Sequence, residues 1–198
     1  MFKLLDIQAA LREIRCDAWL LYDFRGCNSL AQRVTGVDQR PSLSRRWWYL
    51  IPAVGEPQKL VHRIEPAALD HLPGKAQTYL TWQELEQHLK SLLSGVKRLA
   101  MEYAPGISNP YISRVDAGTI EEVRACGVEL ISSGDLIQIF EARWDEAQWA
   151  SHQEATCHTT AAYDLAWKFI ADEIRKNGCT TERARSEHSS CSTSSDAV

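Results

Sequence analysis

The sequence lacks long uninterrupted hydrophobic runs and blocks of basic residues. No window reaches the ~18 apolar residues that a membrane-crossing helix needs, and residues 1–6 lack the apolar core of a signal peptide. No more than two Lys or Arg residues follow one another, and 26 acidic residues outnumber 22 basic ones. We therefore expect a cytoplasmic protein that has neither a membrane nor nucleic acid as its partner.

Several familiar motifs are also missing. The chain has six cysteines, but they are scattered and form no C-x-x-C pair, which favours reduced thiols over disulfides. The phosphate-binding motifs G-x-x-x-x-G-K-[ST] and G-x-G-x-x-G do not occur, and neither does the hydrolase motif G-x-S-x-G. In the segment SSGD, Ser133 or a neighbouring residue is expected to cap a helix and not to act as a nucleophile.

The composition is that of a folded globular protein. With 198 residues, 44% apolar and 24% charged, the chain can form one core with a smaller appendage. Strand-like and helix-like segments alternate, which predicts an α/β domain with a mixed sheet over residues 1–143. Strands at residues 46–51 and 58–64 are expected to form an antiparallel hairpin at a sheet edge, with His62 at its surface. The other strands are predicted at 17–23, 76–80, 98–102 and 128–131, and helices at 3–15, 28–34, 82–93, 113–125 and 135–141.

The residues after this domain predict one long helix over residues 145–178. Asp145 opens a capping-box pattern, and no Pro or Gly interrupts the chain before Gly178. Residues 182–198 contain no Leu, Ile, Met or aromatic residue and are expected to be disordered. The helix therefore needs another partner for its apolar stripe, either a second copy or a complementary catalytic fragment. The stripe consists of Ala162, Leu165, Ala166, Phe169, Ile170 and Ile174.

Two carboxylates, Asp23 and Glu102, come at the ends of predicted strands. Open α/β sheets bind ligands at the carboxyl ends of their strands, and paired carboxylates bind divalent cations. Strands also end in acidic residues simply because turns are solvated, so both interpretations stay open. Trp19, Trp47 and Trp48 are predicted to pack in the core and not to form an aromatic binding shelf.

The densest group of metal-ligating residue types is His152, Glu154, Cys157 and His158. Glu154 and His158 have the i, i+4 spacing at which two ligands on one helix can hold an ion. However, His152 and His158 lie on nearly opposite helix faces, and no H-E-x-x-H motif is present. We expect a solvated helix surface there, and the sequence assigns no catalytic, cofactor-binding or metal-binding residue.

Six segments in the second half of the chain form a recognisable set. They are MEYAP at 101–105, NPYISRVDAGT at 109–119, GVE at 127–129, SSGDL at 132–136, FEARW at 140–144 and TTE at 180–182. Together they resemble the Xaa-Pro peptidases of the creatinase/prolidase superfamily. The resemblance covers residues 1 to about 182 and implies an N-terminal α/β domain with a ribonuclease-H-like mixed sheet flanked by helices. It also implies that residues 145–178 form the first helix of a pita-bread catalytic domain.

The resemblance implies a chemistry whose metal ligands lie beyond this chain. Family members cleave proline-containing peptides before the proline, using two divalent ions (Mn, Co or Zn) held by two Asp, one His and two Glu, all after the first pita-bread helix. Because these ligands are missing and no amphipathic period follows Glu182, we expect a truncated portion of such a metallopeptidase, inactive alone. In the family this domain shapes substrate access and homodimer contacts.

Two other hypotheses stay open at this stage. One is a stand-alone α/β binding, regulatory or oligomerisation module that uses the strand-end cleft around Asp23 and Glu102. The other is a metal-dependent hydrolase that acts through the same two carboxylates, by analogy with ribonuclease-H-like nucleases.

Overall fold

The computed structural model describes residues 3–37 and 43–178. The chain divides into two compact units, Met1–Arg143 and Trp144–Val198. The disorder expected for residues 182–198 concerns residues outside the described part.

The first unit is built on a six-stranded mixed sheet with strand order β4-β3-β2-β1-β5-β6. Strand β2 runs antiparallel to β1 and β3, while the pairs β3–β4, β1–β5 and β5–β6 are parallel. All the predicted strands and helices are present, with most ends shifted by one to four residues. The strands are β1 Ala18–Asp23, β2 Trp47–Pro52, β3 Gln58–His62, β4 Lys75–Tyr79, β5 Arg98–Met101 and β6 Glu129–Ser132, and the helices are α1 Leu4–Glu13, α2 Ser29–Thr35, α3 Trp82–Leu92, α4 Ala117–Ala125 and α5 Gly134–Phe140.

Helices cover both faces of the sheet. Alternate residues of β1 enter different cores: Trp19 and Leu21 join one, Leu20 and Tyr22 the other. The first core also contains residues of α1, α2 and α5, and the second contains residues of α3 and α4. The unit is therefore the predicted α/β sheet flanked by helices, with β1 buried along its whole length.

The hairpin formed by β2 and β3 is confirmed, but its predicted edge position is wrong. Strand β4 pairs with β3 in parallel and makes β3 an interior strand. The close approach of the chain before β4 to the chain before β3 depends on Gly74 (φ +108°), because a Cβ there would lie 2.2 Å from the carbonyl oxygen of Pro57. His62 is consequently half-buried, with its ring 5.0 Å from that of Tyr79, centroid to centroid.

Helix α4 begins later than its apolar pattern predicts, at Ala117 instead of residue 113. Asp116 is the reason, because its side chain accepts a hydrogen bond from the Thr119 N–H at 2.9 Å and caps the helix there. Upstream, the backbone is held instead by a turn in which the Ser113 N–H donates to the Pro110 carbonyl.

The second unit consists, in its described part, of the helix α6, Glu146–Asn177. Its ends agree with the prediction: Asp145 and Gln148 form the capping box, and Gly178 (φ +74°) ends the helix. No residue of α6 is buried. Within residues 3–37 and 43–178, no helix is both long and apolar enough to cross a membrane.

Candidate functional site

The carboxylate of Glu102 is completely buried where β5 ends. Trp19 Nε1 donates to its Oε1 at 2.7 Å, and the Ser133 hydroxyl donates to the same oxygen at 3.1 Å. Asn28 Nδ2 donates to Oε2 at 2.8 Å. These donors lie on β1, at the start of α5 and at the start of α2, so Glu102 links three separate segments of the fold.

Asp23 is the last residue of β1, and its side chain is also fully buried. Its Oδ1 accepts from the backbone N–H of Asn28 at 2.7 Å, and its Oδ2 accepts from the N–H of Gly26 at 3.0 Å. The side-chain amide of Gln32 adds a third hydrogen bond at 3.3 Å. The structure thus joins the two predicted carboxylates through Asn28, and we call Asp23, Asn28 and Glu102 the buried carboxylate network.

Asn28 is the central residue of the buried carboxylate network, and sequence reasoning did not single it out. Besides contacting both carboxylates, its Oδ1 accepts from the Ala31 N–H and caps α2, while its Nδ2 donates to the Tyr22 carbonyl. The one signal for Asn28 in the sequence was its residue type, because asparagine is favoured at the position just before a helix. That signal does not reveal Glu102 as a partner, because the two residues are 74 positions apart.

The network fills the point at which an open α/β sheet usually forms a ligand crevice. Strands β1 and β5 are parallel neighbours, and the helices that follow them pack into different cores, which defines such a point. Here Asp23, Asn28 and Glu102 have zero exposure, and every carboxylate oxygen accepts a hydrogen bond from the protein itself. Both carboxylates are therefore occupied by donors of the protein and have no exposed oxygen for a ligand. The binding-module and hydrolase hypotheses stay predictions, and these two carboxylates add no geometric support to them.

Burial raises the pKa of Glu102 to about 7, from an ordinary value of 4.5, even though the hydrogen bonds from Trp19, Asn28 and Ser133 favour the charged form. The protonated carboxyl also fits, because the Ser133 hydroxyl can turn and accept its proton. Glu102 therefore changes charge near neutral pH inside the folded protein.

The remaining candidates of the first unit have structural roles. Trp19, Trp47 and Trp48 are buried in the two cores, as predicted. Ser133 is the N-cap residue of α5, but its hydroxyl bonds to Glu102 and not to the backbone of the helix. His62 accepts a hydrogen bond at Nδ1 from the N–H of Ile64.

The metal-type residues of α6 are exposed and do not converge. His158 Nε2 lies 3.9 Å from Glu154 Oε1, and both side chains are more than three-quarters exposed. His152 instead packs against Trp144, with ring centroids 4.5 Å apart, and Cys157 is an exposed free thiol.

The residues present do not fit the two-metal centre that the family resemblance implies. In the part of the chain that the structure describes, no three His, Cys, Asp or Glu side chains form a group that could hold a metal ion. Asp23 and Glu102, which are linked through Asn28, accept hydrogen bonds from protein groups at every oxygen. No metal-dependent step is therefore assigned to this chain.

Solved structures show which proteins share this fold. The creatinase/prolidase N-terminal domain of an X-Pro dipeptidase from Streptococcus pyogenes matches with 13% identity and a TM-score of 0.53, over 68% of this chain and 95% of that one. The prolidase from Pyrococcus horikoshii OT3 matches with 17% identity and a TM-score of 0.52, over 84% of this chain and 42% of that one. Dipeptidase PepE from Mycobacterium ulcerans matches with 14% identity and a TM-score of 0.55, over 84% of this chain and 43% of that one.

These matches show that the chain has the creatinase/prolidase N-terminal fold, as the resemblance of its sequence suggested. No family model and no curated protein matches the sequence. The chain spans less than half the length of the prolidase and of dipeptidase PepE. The 84% of this chain that those two proteins match is about 166 residues, more than the first unit contains, so the match includes residues of the second unit.

Proposed function

We propose that this chain is the N-terminal portion of an Xaa-Pro peptidase-like metallopeptidase, consisting of its N-terminal domain and the first helix of its catalytic domain. The share of this chain that each solved structure matches supports this proposal. The isolated N-terminal domain from S. pyogenes matches 68% of the chain, whereas the prolidase and dipeptidase PepE match 84% and so extend beyond the first unit. The parent activity would be the metal-dependent hydrolysis of Xaa-Pro peptide bonds.

We further propose that the chain alone does not hydrolyse Xaa-Pro peptide bonds. A two-metal hydrolase needs several carboxylate or imidazole ligands that converge on open positions around the ions. The described residues offer no such group, and Asp23 and Glu102 are buried among donors.

Association through α6 is the second part of the proposal. Leu165, Trp167 and Ile174 are 42%, 54% and 50% exposed, which is unusual for large apolar side chains on one short stretch of helix. We propose that this stretch packs against a complementary catalytic fragment or a second copy of the chain. We further place the protein in the cytoplasm, where a reducing environment suits its free thiols Cys16, Cys27, Cys126 and Cys157.

An activity assay tests the enzymatic part of the proposal. The purified chain is incubated with alanyl-proline and with a longer Xaa-Pro peptide, with Mn²⁺, Co²⁺ or Zn²⁺ added in turn, and metal content is measured on the same sample. A full-length prolidase serves as the positive control. We expect no turnover and no stoichiometric metal, whereas metal-dependent cleavage would contradict the assignment of the chain as an inactive portion.

A further inference from the structure

The loop after β1 contains an arginine in a backbone conformation that arginine rarely adopts. Phe24 and Cys27 close a tight turn, in which the Cys27 N–H donates to the Phe24 carbonyl at 3.1 Å. The central residues, Arg25 and Gly26, have φ values of +55° and +82°. A turn with two positive φ angles favours Asn, Asp or Gly at its first central position, so Arg25 is strained there.

The side chain of Arg25 reaches the ring of Phe24, where a second arginine meets it. The Arg25 Cζ lies 6.0 Å from the centroid of that ring, and the Arg46 Cζ lies 5.8 Å from it. Arg46 comes close because it precedes β2, whose first residue, Trp47, is paired with Asp23. We call Phe24, Arg25 and Arg46 the arginine cluster.

The charges of the arginine cluster are poorly neutralised by the protein. No ion pair with Arg25 occurs among residues 3–37 and 43–178, and Arg46 has there only a long pair with Glu122, at 3.9 Å. Both guanidinium groups thus lie beside one ring with little countercharge from the described residues, and a bound anion would supply it. The Phe24 side chain is 37% exposed, so the cluster is open to solvent.

Asp23 of the buried carboxylate network fixes the backbone of the turn that carries Arg25. Asp23 accepts hydrogen bonds from the backbone of Gly26 at 3.0 Å and of Asn28 at 2.7 Å, on either side of Cys27. The turn is therefore anchored to the end of β1. The anchored turn fixes the backbone from which the Arg25 side chain extends.

We propose that the arginine cluster is an oxyanion-binding site that accepts a carboxylate or a phosphate group. A guanidinium group is planar and matches both groups with two parallel hydrogen bonds, and the Phe24 ring stabilises its cationic neighbours. A strained residue that carries the binding side chain is typical of ligand sites. The inference does not depend on the proposed function, because it rests on residues of the first unit alone.

Anion titrations of the full-length chain, followed by NMR on ¹⁵N-labelled protein, test the site. Inorganic phosphate and succinate are added in separate experiments at constant ionic strength, with chloride as the balancing ion. We expect saturable shifts of the backbone amides of Arg25, Gly26 and Arg46 with at least one of the two anions. Saturation by only one of them supports the site and identifies its anion class.

Two variants distinguish anion binding at the arginine cluster from a general effect of anions on the protein. Arg25→Asn suits the turn and removes one guanidinium, so we expect affinity to fall at least tenfold. Arg15→Asn is the matched control, because Arg15 is also exposed and also has a positive φ of +54°, but lies at the end of α1. The anion affinity of the Arg15→Asn variant should equal that of the unchanged chain.

Three results would overturn the proposal. One is equal affinity in the Arg25→Asn variant and the unchanged chain. Another is a set of shifts that fails to saturate with both anions, and the third is an equal loss of affinity in the Arg15→Asn variant. In each case the arginine side chains would serve only to cover the Phe24 ring.

Discussion

At the scale of single residues, Glu102 combines complete burial with a full set of hydrogen-bond donors. Its pKa is about 7 in the folded chain and 4.5 when unperturbed. Between these values the folded chain holds a proton that the unfolded chain has lost. The stabilising contribution is therefore complete below about pH 4.5 and lost as pH rises through about 7.

The variant Glu102→Gln should remove this pH dependence, because glutamine does not titrate. From pH 4.5 to 7 the unchanged chain should lose up to about 3 kcal/mol of unfolding free energy through Glu102, at about 1.4 kcal/mol per pKa unit. Urea unfolding at a series of pH values gives the slope of the unfolding free energy against pH. The exposed Glu129→Gln on β6 is the control and should keep the slope. If Glu102→Gln also keeps it, Glu102 does not titrate in this range.

Asn28 shows at the same scale how much one residue can organise, because its side chain bonds to α2 and to Glu102 while its backbone N–H donates to Asp23. It caps α2 and contacts both predicted site carboxylates, and it does so with no exposed surface. Oε2 of Glu102 and Oδ1 of Asp23 each accept from Asn28, and burying such an oxygen without a hydrogen bond is costly. Among the described residues, the end of β1 and the residue after β5 thus carry buried polar groups that are hydrogen-bonded to one another.

At the scale of elements, α6 is a helix whose apolar residues extend beyond a narrow stripe. Tyr163 and Trp167 are more than half exposed and lie beside the predicted stripe, and Ile174 within the stripe is half exposed. Asp164, Lys168 and Asp172 mark the polar side. A helix with this distribution favours burial against another surface over complete solvation.

Paired substitutions on α6 test the association that we propose. Ile170 and Ala161 are nine residues apart, or two and a half turns at 3.6 residues per turn, so they lie on opposite sides of the helix. We expect the unchanged chain to self-associate in sedimentation velocity at high concentration. Ile170→Glu should weaken that association at least tenfold, and Ala161→Glu should leave it unchanged. A chain that stays monomeric throughout would contradict self-association, while equal effects of the two variants would contradict the assigned face.

At the scale of the whole molecule, the first unit contains both described cores. The residues of the two cores, with those packed against them, lie between Leu4 and Phe140. A domain of this fold from S. pyogenes has been solved as an N-terminal domain alone. Residues 1–143 therefore have what an independently folding domain requires, namely their own sheet and a core on each face of it.

A chain of residues 1–143 should accordingly unfold cooperatively. We expect its free energy of unfolding to lie within about 1 kcal/mol of that of the first transition of the full chain, because substitutions outside a core usually have small effects. Urea unfolding, followed by near-ultraviolet circular dichroism of the buried tryptophans, measures both. A chain of residues 1–143 without a cooperative transition would show that the first unit needs residues beyond Arg143.

The sequence by itself determined the local structure and the fold class. Helix α6 has the predicted ends because its capping box at Asp145, its uninterrupted helical period and its stop at Gly178 all act over a few residues. Strand positions followed from short apolar runs, and the fold from their alternation with helices. Asp23 and Glu102 were also singled out as strand-end carboxylates, and the structure links them through Asn28.

The tertiary structure alone decided what those carboxylates do and which residues surround them. Burial depends on what packs above a residue, and Asn28, 74 positions from Glu102, has no local pattern that names its partner. The same holds for β4, which turned a predicted edge strand into an interior one, and for Arg46, which pairing of β2 with β1 brings to Phe24. Local patterns specify period and caps, whereas contacts between distant residues arise only when the sheet assembles.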